Sequence, residues 1–569
     1  MSATISRLTG TVITPAAQLP SRTDIAVMGS GAAGLVAAVR AADSGARVVV
    51  LEKADLLGGT TAIGGGVMWL PATRCAAEAG YSDSPAAAAA YLRAATGGRL
   101  GGEEIETYLG GATRVADYLL EHTRVSLKPL ARPDYRSDWP GATRGGRSLD
   151  NEPFDVSVVP GLGEAIRPSS YFPPLSMAER DALDGRAPDP GLLAERRATG
   201  VRTMGGALVA SLVATALDRG VLFSTGSRVT GLERLDGPGD DEWTITLGGS
   251  THRIAATSVV IASGGFEWDP ELQRAFLPHP VTPISAPSNT GDGLRLGLRA
   301  GAAVSEMTTF WGVPVITPPD KRVDGLPSGR MGNVEMTLPG SITVNQDGRR
   351  FVNEALNYHD ASRVFGSIDP HRLTPSGDSA WLVCDNRYRE RYPIAGIAAD
   401  EDVSWIVTAP TLTELADRIG VDSVGLASQV AQFNADARAG ADRQFSRGST
   451  PQDRFLGDDA VTPNPCLAPI DAPPFSAVRI HGGTLGTSGG LAVDARGRVL
   501  DHDGEPIPGL FAAGNAAATM FRGAYPGGGA TLGSAVVRAF AVGEDLAKRH
   551  RHLRTAPTAP DLASEEAPR

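Results

Sequence analysis

Gly29-Ser-Gly31-Ala-Ala-Gly34 has the residue types and spacing to hold the pyrophosphate of a dinucleotide. Asp24-Ile-Ala-Val-Met28 before it reads as a short buried strand. The alanine-rich run after it to Ser44 reads as a helix, and Arg47-Val-Val-Val-Leu51 as a second strand ending at Glu52. In such a βαβ unit the first glycine permits the tight turn. The second lets backbone reach the pyrophosphate, and the third lets helix pack on strand. The helix start then presents N–H groups and a positive dipole end to phosphate, and Glu52 is placed to accept hydrogen bonds from a ribose. This chemistry is nucleotide binding, and by itself it specifies no reaction.

The residues beyond the second strand point to FAD rather than NAD. Gly58-Gly59-Thr60-Thr61 and Gly64-Gly65-Gly66 are two glycine clusters joined by hydroxyl side chains, where the chain must pass close to the isoalloxazine. Val259-Val-Ile-Ala-Ser263-Gly264-Gly265-Phe266 and Gly509-Leu-Phe-Ala-Ala-Gly514-Asn515 are two more apolar strands ending in glycine. A second glycine fingerprint for a nicotinamide cofactor is absent. No histidine or cysteine is placed like a covalent flavin anchor, so the expected FAD is noncovalent.

These elements need a frame. The 569 residues are too many for one ordinary core, so two domains plus tails are expected. A hydrophobic fraction of 42% and a charged fraction of 21% are those of a globular chain. A net charge of −11 argues against nucleic acid as a partner, because phosphate-backbone binding draws on Lys and Arg. Cys75, Cys384 and Cys466 are far apart and form neither a redox pair nor a metal knuckle. No metal is therefore expected, and the cytoplasm is the expected compartment. No apolar run reaches the roughly 18 residues of a membrane helix, so no integral membrane segment is expected. Residues 1–19 read as a flexible arm and residues 551–569 as a disordered tail. In the middle of the chain, Ser341-Ile-Thr-Val-Asn345 followed by Asp347-Gly348 predicts a strand and a hairpin turn. Thr411 to Ala437 has helical spacing, with Thr411 or Thr413 as the cap.

The glycine turn, the Gly58–Gly66 loop and the two later strands together resemble the succinate dehydrogenase/fumarate reductase flavoprotein superfamily. That resemblance implies an α/β fold, with a discontinuous Rossmann-like FAD-binding domain at residues 20–283 and 471–550. An inserted α+β catalytic domain occupies residues 284–470. It also implies FAD contacts from Gly29, Gly31, Ala32, Ala33, Gly34, Glu52, Lys53, Gly58, Gly59, Thr60, Thr61, Gly64, Gly65, Gly66, Ser263, Gly264, Gly265, Asp292, Gly514, Asn515, Gly529, Ala530 and Leu532.

Three stretches are more specific. Gly59-Thr-Thr-Ala-Ile-Gly-Gly-Gly-Val-Met-Trp-Leu-Pro71, His481-Gly-Gly-Thr-Leu-Gly-Thr-Ser-Gly-Gly490 and Ala524-Tyr-Pro-Gly-Gly-Gly-Ala-Thr-Leu-Gly533 look like those of 3-ketosteroid delta-1-dehydrogenases. The resemblance implies that a double bond is introduced between C1 and C2 of a 3-ketosteroid such as 4-androstene-3,17-dione. A proton leaves C2, and a hydride passes from C1 to flavin N5. Tyr525 and the N–H of Gly529 would donate to the ketone, where enolate charge develops. Tyr358 would be the base, and Tyr135 would support it, with Trp139 as the alternative pocket residue. Arg522 and His359 stand close enough in sequence to tune these phenols. The electron acceptor is expected to be a quinone or similar, and steroid solubility in lipid leaves peripheral membrane association open.

Two related activities compete. A 3-keto-5α-steroid delta-4-dehydrogenase shares FAD, ketone polarisation and a tyrosine base. A fumarate-type reductase needs an arginine before the final glycines, and Pro526 stands there, which argues against a carboxylate substrate.

Overall fold

The computed structural model describes residues 12–555, apart from 170, 184–187, 236–241, 250, 370–372 and 378. The strand β1 (Arg22–Met28) is buried on both faces. Ile25 and Val27 join one hydrophobic core with the helix α1 (Ala32–Ala42), and Ala26 and Met28 join another on the opposite side. Burial on both faces requires a continuous apolar run, which this strand supplies. Beside β1 lies β2 (Val48–Leu51), parallel, with Ile25 opposite Val48 and Met28 opposite Leu51. The strand β3 (Leu222–Ser224) extends the sheet past β2. On the other side β1 pairs in parallel with β4 (Arg253–Ile261), and β4 with β5 (Pro506–Ala512), so that Val259 meets Leu510. The strand Arg498–Leu500 closes that edge antiparallel. The hairpin Val229–Arg234 and Trp243–Leu247 joins the start of β4.

The C-terminal ends of these parallel strands open onto one crevice, the place where open α/β sheets take ligands. The long helix α2 (Ala530–Thr555) starts at that crevice and runs back along α1. Their approach is close, since a Cβ on Gly543 would stand 2.6 Å from the Cβ of Arg40.

The middle of the chain builds a four-stranded antiparallel sheet in the order Ser341–Val344, Trp381–Cys384, Phe475–Arg479, Ile406–Ala409. The strand expected at Ser341 is present, but the hairpin is not. After the turn at Asn345–Gly348 only the bridge Val344–Arg350 forms, and the ladder partner is Trp381–Cys384. The helical stretch from Thr411 is two helices, Leu412–Ile419 and Ser423–Ala439, broken where Gly420 turns left-handed. Thr411 is the cap, accepting from the Glu414 N–H at 3.2 Å. Phe475–Arg479, expected with the nucleotide-binding part, pairs instead in this middle sheet.

The ends of the chain also differ from expectation. Val12 and Leu19 are buried, and the Thr14 N–H donates to the Phe223 carbonyl at 2.7 Å. Residues 12–19 of the arm expected over residues 1–19 are therefore packed on the sheet, and residues 1–11 lie outside the described residues. The tail expected from 551 begins as helix through Thr555, and residues 556–569 lie outside the described residues. Among the described residues no helix is long and apolar enough to cross a membrane, and no group of His, Cys, Asp and Glu is arranged to hold a metal.

Candidate active site

A cavity of about 1150 Å³ runs from the glycine turn after β1 to Tyr358 and Tyr525. Its first half fits a dinucleotide. Gly29 adopts φ +103°, and a Cβ there would stand 2.4 Å from the Ala262 carbonyl oxygen, so glycine is required for the turn itself. At Gly31 the nearest atom to such a Cβ is the Thr61 Oγ1 at 3.5 Å, leaving the backbone open to the cavity. The Ser263 Oγ is shielded from solvent without a hydrogen-bond partner among the described residues, and Ser263 lines the cavity. An orphaned hydroxyl beside an open glycine backbone is what a polar cofactor would satisfy.

Most residues expected at the cofactor line this space: Gly29, Gly31, Ala32, Ala33, Glu52, Lys53, Gly59, Thr60, Thr61, Gly64, Gly65, Gly66, Ser263, Gly264, Asp292, Gly514, Asn515, Gly529 and Leu532. Gly34, Gly58, Gly265 and Ala530 do not. Gly34 packs on the Gly29 carbonyl, Gly58 on the Ala62 side chain and Gly265 on Thr487, where a Cβ would meet Oγ1 at 2.1 Å. Ala530 is fully buried in the core at the start of α2. Several side chains are already committed to shaping the cradle. Glu52 accepts from the Ser30 N–H at 3.0 Å and the Ser30 hydroxyl at 2.6 Å. Thr61 accepts from the Ala32 N–H at 3.1 Å, and Thr60 from the Ala286 N–H at 3.0 Å. Asp292 is held between Lys53 at 3.0 Å and Arg228 at 2.7 Å.

The second half carries the tyrosines. Tyr525 sits in the turn that leads into α2. The next carbonyl, that of Pro526, accepts from the Tyr91 hydroxyl at 2.5 Å and from the Tyr135 N–H at 3.1 Å. One carbonyl thus ties the Tyr135 segment to the Tyr525 turn. That segment is anchored further by Asp134, which accepts from the Trp69 indole at 2.8 Å and from the buried Arg147 at 2.7 Å. Tyr358 opens the helix Tyr358–Phe365, whose Asn357 cap accepts from the Asp360 N–H. The Tyr358 and Tyr525 hydroxyls are 2.8 Å apart. The Tyr135 ring stacks on Tyr525 at 5.5 Å and meets the edge of Tyr358 at 5.3 Å.

The Tyr525 oxygen accepts from both Tyr358 and the Thr531 hydroxyl, the latter at 3.2 Å. Its own proton is therefore free to point at a ligand oxygen. Gly529, at φ +94°, lines the same wall, and a Cβ there would stand 2.5 Å from the Val67 carbonyl oxygen. Burial pushes Tyr135 and Tyr358 well above the ordinary tyrosine value, helped for Tyr358 by its two phenol neighbours. Burial also raises Tyr525, against the hydrogen bonds from Thr531 and Tyr358. All three are thus neutral near pH 7.

Trp139 does not line the cavity. It lies under Arg136 at 5.2 Å, so Tyr135 is the aromatic residue that reaches the other two phenols. His359 is buried and neutral, its pKa lowered by burial. Its Nδ1 accepts from the Gly312 N–H at 3.2 Å and its Nε2 donates to the Gly523 carbonyl at 3.1 Å. It supports the loop before Tyr525 with its ring 5.2 Å from the phenol. Arg522 pairs with Glu104 at 2.7 Å and does not line the cavity. Sequence reasoning missed Tyr91 and Arg147, whose work is done across long sequence separations. It also missed the cations Arg132, Arg180 and Lys321, which line the same cavity.

A family model described as FAD binding domain matches residues 24–532. Over 92% of this chain and 92% of its own length, the 4-oxocyclohexanecarboxylate 2-dehydrogenase of Sinomonas cyclohexanicum is 41% identical. The 3-oxosteroid 1-dehydrogenase of Mycolicibacterium smegmatis is 33% identical over 92% of this chain and 97% of its own. Among solved structures, the 3-ketosteroid delta1-dehydrogenase from Sterolibacterium denitrificans, in complex with 1,4-androstadiene-3,17-dione, superposes with a TM-score of 0.85. It is 32% identical and covers 93% of this chain and 100% of that one. The chain therefore belongs to the FAD binding domain family, as an FAD-dependent oxidoreductase acting on CH–CH groups within the 3-ketosteroid dehydrogenase and fumarate reductase flavoproteins.

Proposed function

We propose that the enzyme removes hydrogen from the α and β carbons of a six-membered ring ketone, as between C1 and C2 of a 3-ketosteroid. The observation that carries this reading is the trio of phenols at the far side of the cofactor cavity, with Tyr358 and Tyr525 joined at 2.8 Å beside Gly529. When bound, FAD supplies the acceptor for two electrons and one hydrogen. It would lie along the glycine turn, with Glu52 toward a ribose and the Gly59–Gly66 loop, Ser263, Asn515 and Leu532 around the rest. The nucleotide-binding part would be assembled from the two ends of the chain around the middle sheet.

The protein's own groups account for the proton. Tyr525 donates its free O–H to the ketone oxygen, and the Gly529 N–H adds a second donor. Both act where negative charge develops as the α proton leaves. Tyr358 takes that proton once its own phenolic proton has been passed on, by way of the Tyr135 hydroxyl, to solvent. The phenolate so formed is a strong base because burial holds its pKa high, and the Tyr135 hydroxyl, whose ring meets Tyr358 edge-on, would share the charge. Aromatic walls and the buried Asp134–Arg147 anchor keep the three oxygens in place.

The relative that acts on 4-oxocyclohexanecarboxylate supports a second substrate, a single ring, for the same bond change. Both substrates present a ketone with an α C–H to the same donors. Anaerobic mixing with 4-androstene-3,17-dione and, separately, with 4-oxocyclohexanecarboxylate tests the reading. Flavin absorbance should bleach, with a 1,4-diene or a 2-ene product. Unchanged flavin with both ketones overturns it.

A further inference from the structure

The cavity contains a charge that neither the cofactor cradle nor the tyrosines use. Arg180 lies on the helix Met177–Ala182, which begins against the glycine loop: a Cβ on Gly65 would stand 2.9 Å from the Met177 Cε. Surrounding protein and the nearby Arg132 charge push the Arg180 pKa down, although Arg180 is itself exposed. Arg180 lines the cavity. Its guanidinium lies over the Phe172 ring at 5.7 Å and has no ion-pair partner within 4 Å among the described residues.

The surrounding charges do not neutralise it. Asp181 is taken in two hydrogen bonds by Arg132, at 2.8 and 2.5 Å. Asp458 is taken by Arg391 at 2.6 Å. Glu335 is half-buried, and its carboxylate accepts from the Ala395 N–H at 3.1 Å; desolvation raises its pKa. Lys321 and Arg330 add positive charge nearby, with Arg330 over the Tyr171 ring at 5.2 Å. An arginine that lines a cavity with no acidic partner within 4 Å among the described residues is open to a ligand, and a planar carboxylate is the partner its fork geometry matches.

We propose that Arg180 binds a carboxylate on the substrate ring, so that the substrate is a ketone acid rather than a neutral ketone. The proposal rests on the ring-ketone reading above and narrows it. Arg132, already committed to Asp181, adds positive field from a neighbouring position that also reaches Tyr135. The same cation would discriminate against an uncharged ring of equal size, because binding it leaves Arg180 unpaired.

The test compares 4-oxocyclohexanecarboxylate with its neutral isostere 4-oxocyclohexanecarboxamide, in the FAD-loaded enzyme and in Arg180→Met and Arg180→Lys. A hydrogen bond to a charged group is worth enough for about a 10- to 100-fold preference in kcat/KM for the acid. That preference should collapse toward unity in Arg180→Met through KM, and return in part in Arg180→Lys. A parent enzyme that treats both compounds alike, or a preference that survives in Arg180→Met, overturns the proposal. Binding is read separately, by titrating the oxidised flavin spectrum with cyclohexanecarboxylate and cyclohexanecarboxamide, which cannot be turned over as ketones. If no ketone bleaches the flavin but the acid still binds through Arg180, the carboxylate site stands and the ring-ketone reading fails. If a ketone is oxidised but the acid binds no better than the amide, the opposite holds.

Discussion

Tyr525→Phe removes one oxygen and leaves the rest of the site's packing in place. The ring keeps its contacts with Trp311 at 5.3 Å, Tyr135 at 5.5 Å and His359 at 5.2 Å. What disappears is the donor to the ketone, together with the acceptor for Tyr358 and Thr531. The two internal hydrogen bonds are between neutral groups, each contributing about 0.5–1.5 kcal/mol, so the fold and the bound flavin should persist with a modest loss in melting temperature. The lost donor acts chiefly on the enolate-like transition state, where one such group is worth about 2.7–4 kcal/mol, or about 10²–10³ in rate. The fall should appear in kcat more than in KM, because the ground-state ketone carries little of that charge. Stopped-flow bleaching of the flavin under anaerobic conditions reads the chemical step directly. A variant within about fivefold of the parent would refute the role given to the Tyr525 hydroxyl, and a variant without flavin would make the residue structural.

Tyr358→Phe should lower the bleaching rate by about 10²–10⁴ and abolish solvent-deuterium exchange at the α carbon of the bound ketone, followed by mass spectrometry. Asp150 is buried and its carboxyl is pushed up to about 6 by burial, while its side chain caps the helix that carries Arg180 through the Ala178 N–H at 2.9 Å. The folded state thus holds a proton that the unfolded chain releases near pH 4, so this residue's contribution to stability falls by about 1.4 kcal/mol per pH unit between roughly pH 4 and 6. Asp150→Asn keeps the acceptor and should flatten that slope and raise the melting temperature at pH 7–8; an unchanged pH profile contradicts the assignment.

The nucleotide-binding turn was legible because everything it needs is local: apolar strand, glycines, helix and second strand follow one another from Asp24 to Glu52. Tyr135, Tyr358 and Tyr525 were legible through the resemblance, and the structure brings them together. Their supports were not. Tyr91 and Arg147 act on partners far along the chain, and no local pattern marks a residue whose role is set by what folds against it. Arg180 was hidden for a related reason. It stands in a short polar helix where an arginine reads as a surface residue, and its place on the cavity wall is set by what folds around that helix. Pro526 bears on one position in the glycine run, and under the proposal made above Arg180, from a different segment, would supply the cation which that position lacks. The hairpin at Asn345 failed similarly: a turn signal is local, but the ladder partner at Trp381–Cys384 is chosen by burial of the sheet face.

The pairing of β4 with β5 has a consequence for how the protein is made. Ile261 waits for Ala512 before the strand ends that surround the crevice are complete, and at about 5–20 residues per second a translating ribosome takes on the order of ten seconds or more to deliver it. A nascent chain carrying β1, the glycine turn and Glu52 has the fingerprint of a cofactor site without its far wall. The site is complete only once β5 has been made, so a truncation ending before Pro506 is expected to purify without flavin absorbance.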